Sequence, residues 1–154
     1  MSRGGREELT TTVETPITRE LAEELHAFYN TTLIPEFVCA GEGPDRPTPS
    51  WLVADGRKAV VTRDATGSIL GCWVLKNSGI YYPCVDVTGG LPVVVSVLRE
   101  LAYTSFESEG TALWASTTNP LIHEWAKQGR DFPMPHRPRG MPKPTFTDTR
   151  IEWK

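Results

Sequence analysis

The sequence predicts a single mixed α/β domain, a mostly antiparallel sheet flanked by about three helices. Three observations carry this. The chain has 154 residues, 39% hydrophobic and 23% charged, a size and balance that suit one domain with a core of its own. Short β-branched runs between residues 58 and 87 are separated by two turn signals, the pattern of an antiparallel meander. Apolar residues at helical spacing flank that meander on both sides. Thirteen prolines and 13 glycines exceed the average of about 12% for the two together, so long punctuated loops are expected. That excess falls short of collagen or wholesale disorder, and the mixed periodicity excludes a coiled coil.

Residues 1–14 form a polar N-terminal tail with Gly4-Gly5 and Thr10-Thr11-Thr12 and no apolar period. Such a segment is disordered unless it docks on something. Residues 15–154 make up the domain. Thr15-Pro16-Ile17-Thr18 supplies cap residues and a first-turn proline. Leu21, Leu25, Phe28, Tyr29 and Leu33 then recur at helical spacing until Pro35 stops the helix. Residues 39–50, CAGEGPDRPTPS, read as a loop. The meander follows: Lys58–Arg63, the turn Asp64–Gly67, Ser68–Lys76, the turn Asn77–Gly79, and Ile80–Val87. Pro83 lacks an N–H, which predicts a bulge or an unpaired edge in the third of these strands.

Thr88-Gly89-Gly90-Leu91-Pro92 leads into a second helix with a stripe of Val94, Val97, Leu98, Leu101, Ala102 and Ser105, ended by Gly110. Thr111–Ser116 reads as a buried strand. Asn119-Pro120 opens a third helix that ends at Gly129. Residues 133–144 form a proline-rich loop, and Thr145–Trp153 is a last strand with imperfect alternation.

This order of elements resembles the GNAT-type N-acyltransferases over roughly residues 16–153. Three stretches carry the resemblance. One is the hairpin KAVVTRDATGSILGCWVLK. Another is the third meander strand with its glycine-containing loop and long helix. The last is Asn119–Gly129, similar to the family's late helix. The resemblance implies transfer of an acyl group from acetyl-CoA to the amine of a small molecule or a protein. It also implies that the pantetheine arm lies along Val85, Asp86 and Val87 and the pyrophosphate on Thr88, Gly89 and Gly90. A helix N-terminus with free N–H groups suits such an anion.

The sequence departs from the family pattern in two places. The phosphate loop carries no Arg or Lys, and Pro92 removes a donor. Trp125 stands where many relatives have an acidic Tyr, and an indole cannot protonate a leaving thiolate.

Asp86 is a candidate base for the acceptor amine, or the cap of the Thr88–Gly90 turn. Tyr81 and Tyr82 alternate across the strand; either is a candidate acid, with strand packing the preferred role. His123 is a candidate acid or base on a helix surface. Asn119 is a helix cap or a cofactor contact. Cys39, Cys72 and Cys84 are spaced for neither a disulfide framework nor zinc, and read as packing thiols of a reducing compartment. His26, His123 and His136 are too scattered for a metal site.

Charge is uneven: residues 1–50 carry 4 basic and 9 acidic groups, residues 127–154 carry 7 and 3. The basic segment has no aromatic platform, which argues against nucleic-acid binding. No run reaches the roughly 18 apolar residues of a membrane span, and the polar start is unlike a signal peptide, so a cytoplasmic or other intracellular location is expected. An alternative reading is a catalytically degenerate GNAT-like fold in a larger assembly, such as a virion component, docked through residues 1–14.

Overall fold

The structure is a computed structural model that describes residues 8–32, 47–110, 113–116, 140–143, 145–146 and 150–153. It contains β1 (Thr10–Glu14), α1 (Arg19–Thr32), α2 (Pro49–Val53), β2 (Arg57–Arg63), β3 (Ile69–Lys76), β4 (Gly79–Val85), α3 (Leu91–Glu109), β5 (Leu113–Ser116), β6 (Thr145–Phe146) and β7 (Arg150–Trp153). One seven-stranded sheet has the order β1-β2-β3-β4-β5-β7-β6. Every neighbouring pair is antiparallel except β4 with β5. The mixed, mostly antiparallel sheet of the sequence reading is therefore present. Among the described residues, no helix is long and apolar enough to cross a membrane.

The strands of the meander alternate between two cores. Val60, Trp73, Leu75 and Ile80 pack with Val97, Leu98, Leu101 and Ala102 of α3 on one face. Ala59, Val61, Cys72 and Val74 pack with Ala22, Leu25 and Tyr29 of α1 and Leu52 of α2 on the other. A period of two in β2 and β3 makes this division automatic. Across the α3 core, the indole N–H of Trp73 donates to Ser105 Oγ at 2.7 Å, so its one polar atom is satisfied where water cannot reach.

Each helix is set by local chemistry. The Thr18 hydroxyl accepts the Leu21 N–H at 3.1 Å and caps α1. The Arg63 fork grips Glu24 at 2.7 and 2.9 Å, which ties α1 to β2. Those hydrogen bonds hold the Glu24 carboxyl below its usual range. Gly110 ends α3 in the left-handed region at φ 60°, where its N–H reaches the Phe106 carbonyl at 2.9 Å.

Four expectations are corrected. Thr10–Glu14 is not a free tail but an edge strand whose Thr10 and Glu14 lie opposite Arg63 and Ala59 of β2; β-branched threonines suit such a half-exposed strand. Pro49 and Ser50, read as loop, open α2: the Thr48 hydroxyl accepts the Trp51 N–H at 3.1 Å and Pro49 takes the first turn. The last strand is two strands, β6 and β7, which pair antiparallel with Phe146 opposite Ile151; hence its imperfect alternation. Tyr81 and Tyr82 do not alternate: Tyr82 is in the left-handed region at φ 53° and both rings meet Trp51. The Asn119–Gly129 helix, Pro35 and most of the 133–144 loop lie outside the described residues.

Gly79 shows how tightly the β4–β5 junction is packed. It lies opposite Trp114, and a Cβ there would run into the indole ring. Gly79→Ala should therefore lower stability by about 1–3 kcal/mol in urea unfolding. An unchanged midpoint would show that the indole can move aside freely.

Candidate functional site

The site is built from an interruption in β4. Cys72 of β3 lies opposite Cys84, and Val74 lies opposite Tyr81, so Tyr82 and Pro83 together face Trp73. Two residues against one is a β-bulge, and it falls at the proline that predicted it. Tyr82 has φ 53°, a conformation disfavoured for a bulky side chain. Its carbonyl accepts the buried Tyr29 hydroxyl of α1 at 2.7 Å. Burial raises the Tyr29 hydroxyl well above its ordinary pKa, which keeps it a donor.

The bulge reorients the strand. Its left-handed residue turns Tyr82 to the same face as Tyr81, and both rings meet Trp51 at 5.1 and 5.9 Å. Tyr82 is only 4% exposed and is flanked by Tyr29 at 6.1 Å. The bulge also coincides with the end of β4–β5 pairing. Gly79 pairs with Trp114 and Ile80 with Ala115, and among the described residues the register goes no further.

Beyond the bulge β4 has a strand partner on one side only among the described residues. The Asp86 N–H donates to the Leu70 carbonyl at 2.8 Å. Val85 lies opposite Gly71, between that pair and the Cys72–Cys84 pair. In an antiparallel ladder the intervening residue turns its N–H and C=O away from its partner strand. Val85 therefore presents its main-chain groups on the β5 side, past the end of β5 pairing. A Cβ at Gly71 would come within 2.5 Å of Val97 Cγ1, so glycine there lets α3 lie close under this part of the sheet.

The connection into α3 is a tight turn. Asp86 Oδ1 accepts the Thr88 N–H at 2.9 Å and the Thr88 hydroxyl at 2.7 Å. The Gly90 N–H donates to the Val87 carbonyl at 3.2 Å. Gly90 stands at φ 90° as the N-cap and offers no side chain. The N–H groups of Gly89, Leu91 and Val93 have no partner among the described residues. They point into the field of the helix N-terminus. No acidic residue lies in the first turn, and no basic one does either. Val87 and Leu91 are 53% and 73% exposed beside these donors.

The sequence candidates fall into three groups. Val85, Asp86, Val87, Thr88, Gly89 and Gly90 form the continuous edge and turn just described. Tyr82 is buried in the scaffold, while Asp86 uses one oxygen to cap the turn. His123 and Asn119 lie outside the described residues, as does Cys39. Cys72 and Cys84 are free and buried; burial pushes the Cys72 thiol up to about 12 and raises Cys84 as well, which suits packing groups. Sequence reasoning missed Tyr29 and Trp51 as parts of the site. The Thr48-Pro49 cap-and-first-turn signature could have revealed α2, and with it Trp51.

No protein-family model matches the chain, and no curated protein does. Among solved structures, the chain is similar to a point mutant of the spermidine N-acetyltransferase SpeG from Vibrio cholerae. The identity is 13% over 94% of this chain and 92% of that one, with a TM-score of 0.51. It is also similar to a chimera of that enzyme and hSSAT, at 14% identity over 94% of each chain and a TM-score of 0.50. The protein has the GNAT-type N-acyltransferase fold.

The clamp on the bulge has a measurable value. Tyr29→Phe removes the hydroxyl that donates to the buried Tyr82 carbonyl, which should cost about 1–3 kcal/mol of stability by urea unfolding. No loss would mean that the bulge holds itself.

Proposed function

We propose that the protein is an N-acyltransferase that moves an acyl group from acyl-CoA to an amine. The observation that carries this reading is the bulged strand β4, which leaves β5 after Ile80 and runs through a glycine turn into the N-terminus of α3. A thioester cofactor needs two things here: a strand edge for its amide-bearing arm and an anion cradle for its diphosphate. The main chain of Val85 offers a donor and an acceptor for the arm. Val87 and Leu91 supply exposed apolar contact beside it. The N–H groups of Gly89, Leu91 and Val93, without partners among the described residues, suit the diphosphate, with Thr88 and Gly90 shaping the turn.

Acyl-CoA supplies the activated acyl group: the acceptor nitrogen bonds to the acyl carbon, the C–S bond breaks, the sulfur leaves as CoA thiolate and takes a proton, and the nitrogen loses one. On this reading Asp86 and Tyr82 shape the site rather than carry those protons. Asp86 holds Thr88 in the turn, and Tyr82 fixes the bulge. His123 is kept as a candidate proton carrier and Asn119 as a candidate cofactor contact.

The lack of a cation in the first turn of α3 favours one second reading, a GNAT-like fold that serves as a binding or structural subunit. Calorimetry separates the two. Acetyl-CoA should bind, and an accepted amine should release CoA thiol. Leu91→Asp adds a carboxylate at an exposed first-turn position. The helix dipole tolerates that charge, so the fold should persist while acetyl-CoA binds about tenfold more weakly, roughly 1.4 kcal/mol. No heat with millimolar acetyl-CoA would support the structural reading instead.

A further inference from the structure

We infer that the acceptor is an amine that also carries an aromatic ring and a carboxylate, seated on an aromatic ledge at the β4–β5 junction. The inference rests on the acyltransferase reading and names its second substrate. Trp51, Tyr81 and Trp114 form the ledge on the α1–α2 face. The Trp51 and Tyr81 rings are 5.9 Å apart and tilted. Tyr81 and Trp114 meet edge to face at 5.6 Å. All three side chains are only part-buried, so the ledge is supported from behind and reachable from outside. The Trp114 indole N–H donates to the Asn77 carbonyl at 2.9 Å, which fixes the plane of its ring.

Charge selects the occupant. Arg57 lies with its guanidinium carbon 4.6 Å from the centre of the Trp51 ring, and Lys76 Nζ is 5.7 Å from that of Tyr81. Arg57 has no carboxylate partner among the described residues. One of its terminal nitrogens donates to the Asp55 main-chain carbonyl at 2.9 Å, while its Nε is buried with no partner among the described residues. A guanidinium held over an indole keeps terminal N–H groups with which it can take a carboxylate. A polyamine offers Arg57 no carboxylate and the ledge no ring, and it would bring ammonium groups beside that guanidinium, where like charges are disfavoured. This differs from the acceptor named for the similar solved structures, spermidine.

The ledge is also in the right place. Tyr81 immediately precedes the bulge, and Trp114 is next to Ala115, the last β5 residue paired with β4. An acyl group brought along the Val85 edge toward the bulge would arrive beside these rings.

Calorimetric titration of the full chain with L-phenylalanine, spermidine and acetyl-CoA tests the inference. L-Phenylalanine should bind, and spermidine at the same concentration should give no heat. Arg57→Gln should weaken L-phenylalanine at least tenfold, with Arg57→Lys between the two and acetyl-CoA affinity unchanged in both. Binding of spermidine without L-phenylalanine would overturn the inference, as would an Arg57→Gln variant that binds L-phenylalanine normally. Acetyl-CoA binding with no L-phenylalanine binding removes the ledge and leaves the acyltransferase reading intact. L-Phenylalanine binding without acetyl-CoA binding overturns the acceptor role along with that reading.

Discussion

Everything at the site depends on one hydrogen bond, from the Tyr29 hydroxyl to the Tyr82 carbonyl at 2.7 Å. A tyrosine at φ 53° is an unfavourable conformation, and such strain persists only where the surroundings over-determine it. Here they do. Tyr29 engages the carbonyl, Pro83 brings no N–H that the ladder could claim, and Trp51 and Tyr29 pack edge to face on the Tyr82 ring. The bulge then accounts for three features together. It places both tyrosines on the α1–α2 face, it coincides with the end of β4–β5 pairing, and it leaves the Val85 main chain directed past β5.

The helices act as supports for that strand. α1 carries Tyr29 and is tied to β2 by the Arg63–Glu24 fork, so the clamp is anchored from two sides. α3 lies close against Gly71, so its N-terminus sits where β4 ends. The Asp86–Thr88 turn makes the transition in few residues and spends no positive side chain on it. Among the described residues of this turn, an anion would meet main-chain donors and a helix dipole and no cationic side chain. In water such partial charges are weakly attractive, and their value rises only where solvent is excluded. The exposed Val87 and Leu91 are the groups available to exclude it.

Much of this was legible in the residues. Pro83 marked the bulge because proline cannot serve a central ladder. The Asp86-Val87-Thr88-Gly89-Gly90 run marked a capped turn because a short carboxylate reaches an N–H two residues on. Gly110 marked the end of α3. The rest was hidden by long-range contacts. Nothing local says that Tyr82 adopts a left-handed conformation, since a carbonyl partner 53 residues away in sequence stabilises it. Thr10–Glu14 looked like a polar tail because an edge strand needs only a neighbour, not an apolar face. α2 was masked by the prolines around it, although Pro49 occupies the one helical turn that welcomes proline. Trp114 and Gly79 form a matched pair only once β4 and β5 lie side by side.

Among the described residues, β4 beyond the bulge has one edge paired with β3 and one edge without a strand partner, the edge proposed for the cofactor arm. Amide hydrogen exchange resolved at single residues tests it most directly. The Cys84 and Asp86 amides, held by β3, should exchange slowly, and the Val85 amide between them quickly. Acetyl-CoA should then slow Val85 selectively. A Val85 amide already protected in the free protein, or one that acetyl-CoA leaves unchanged, would contradict the account.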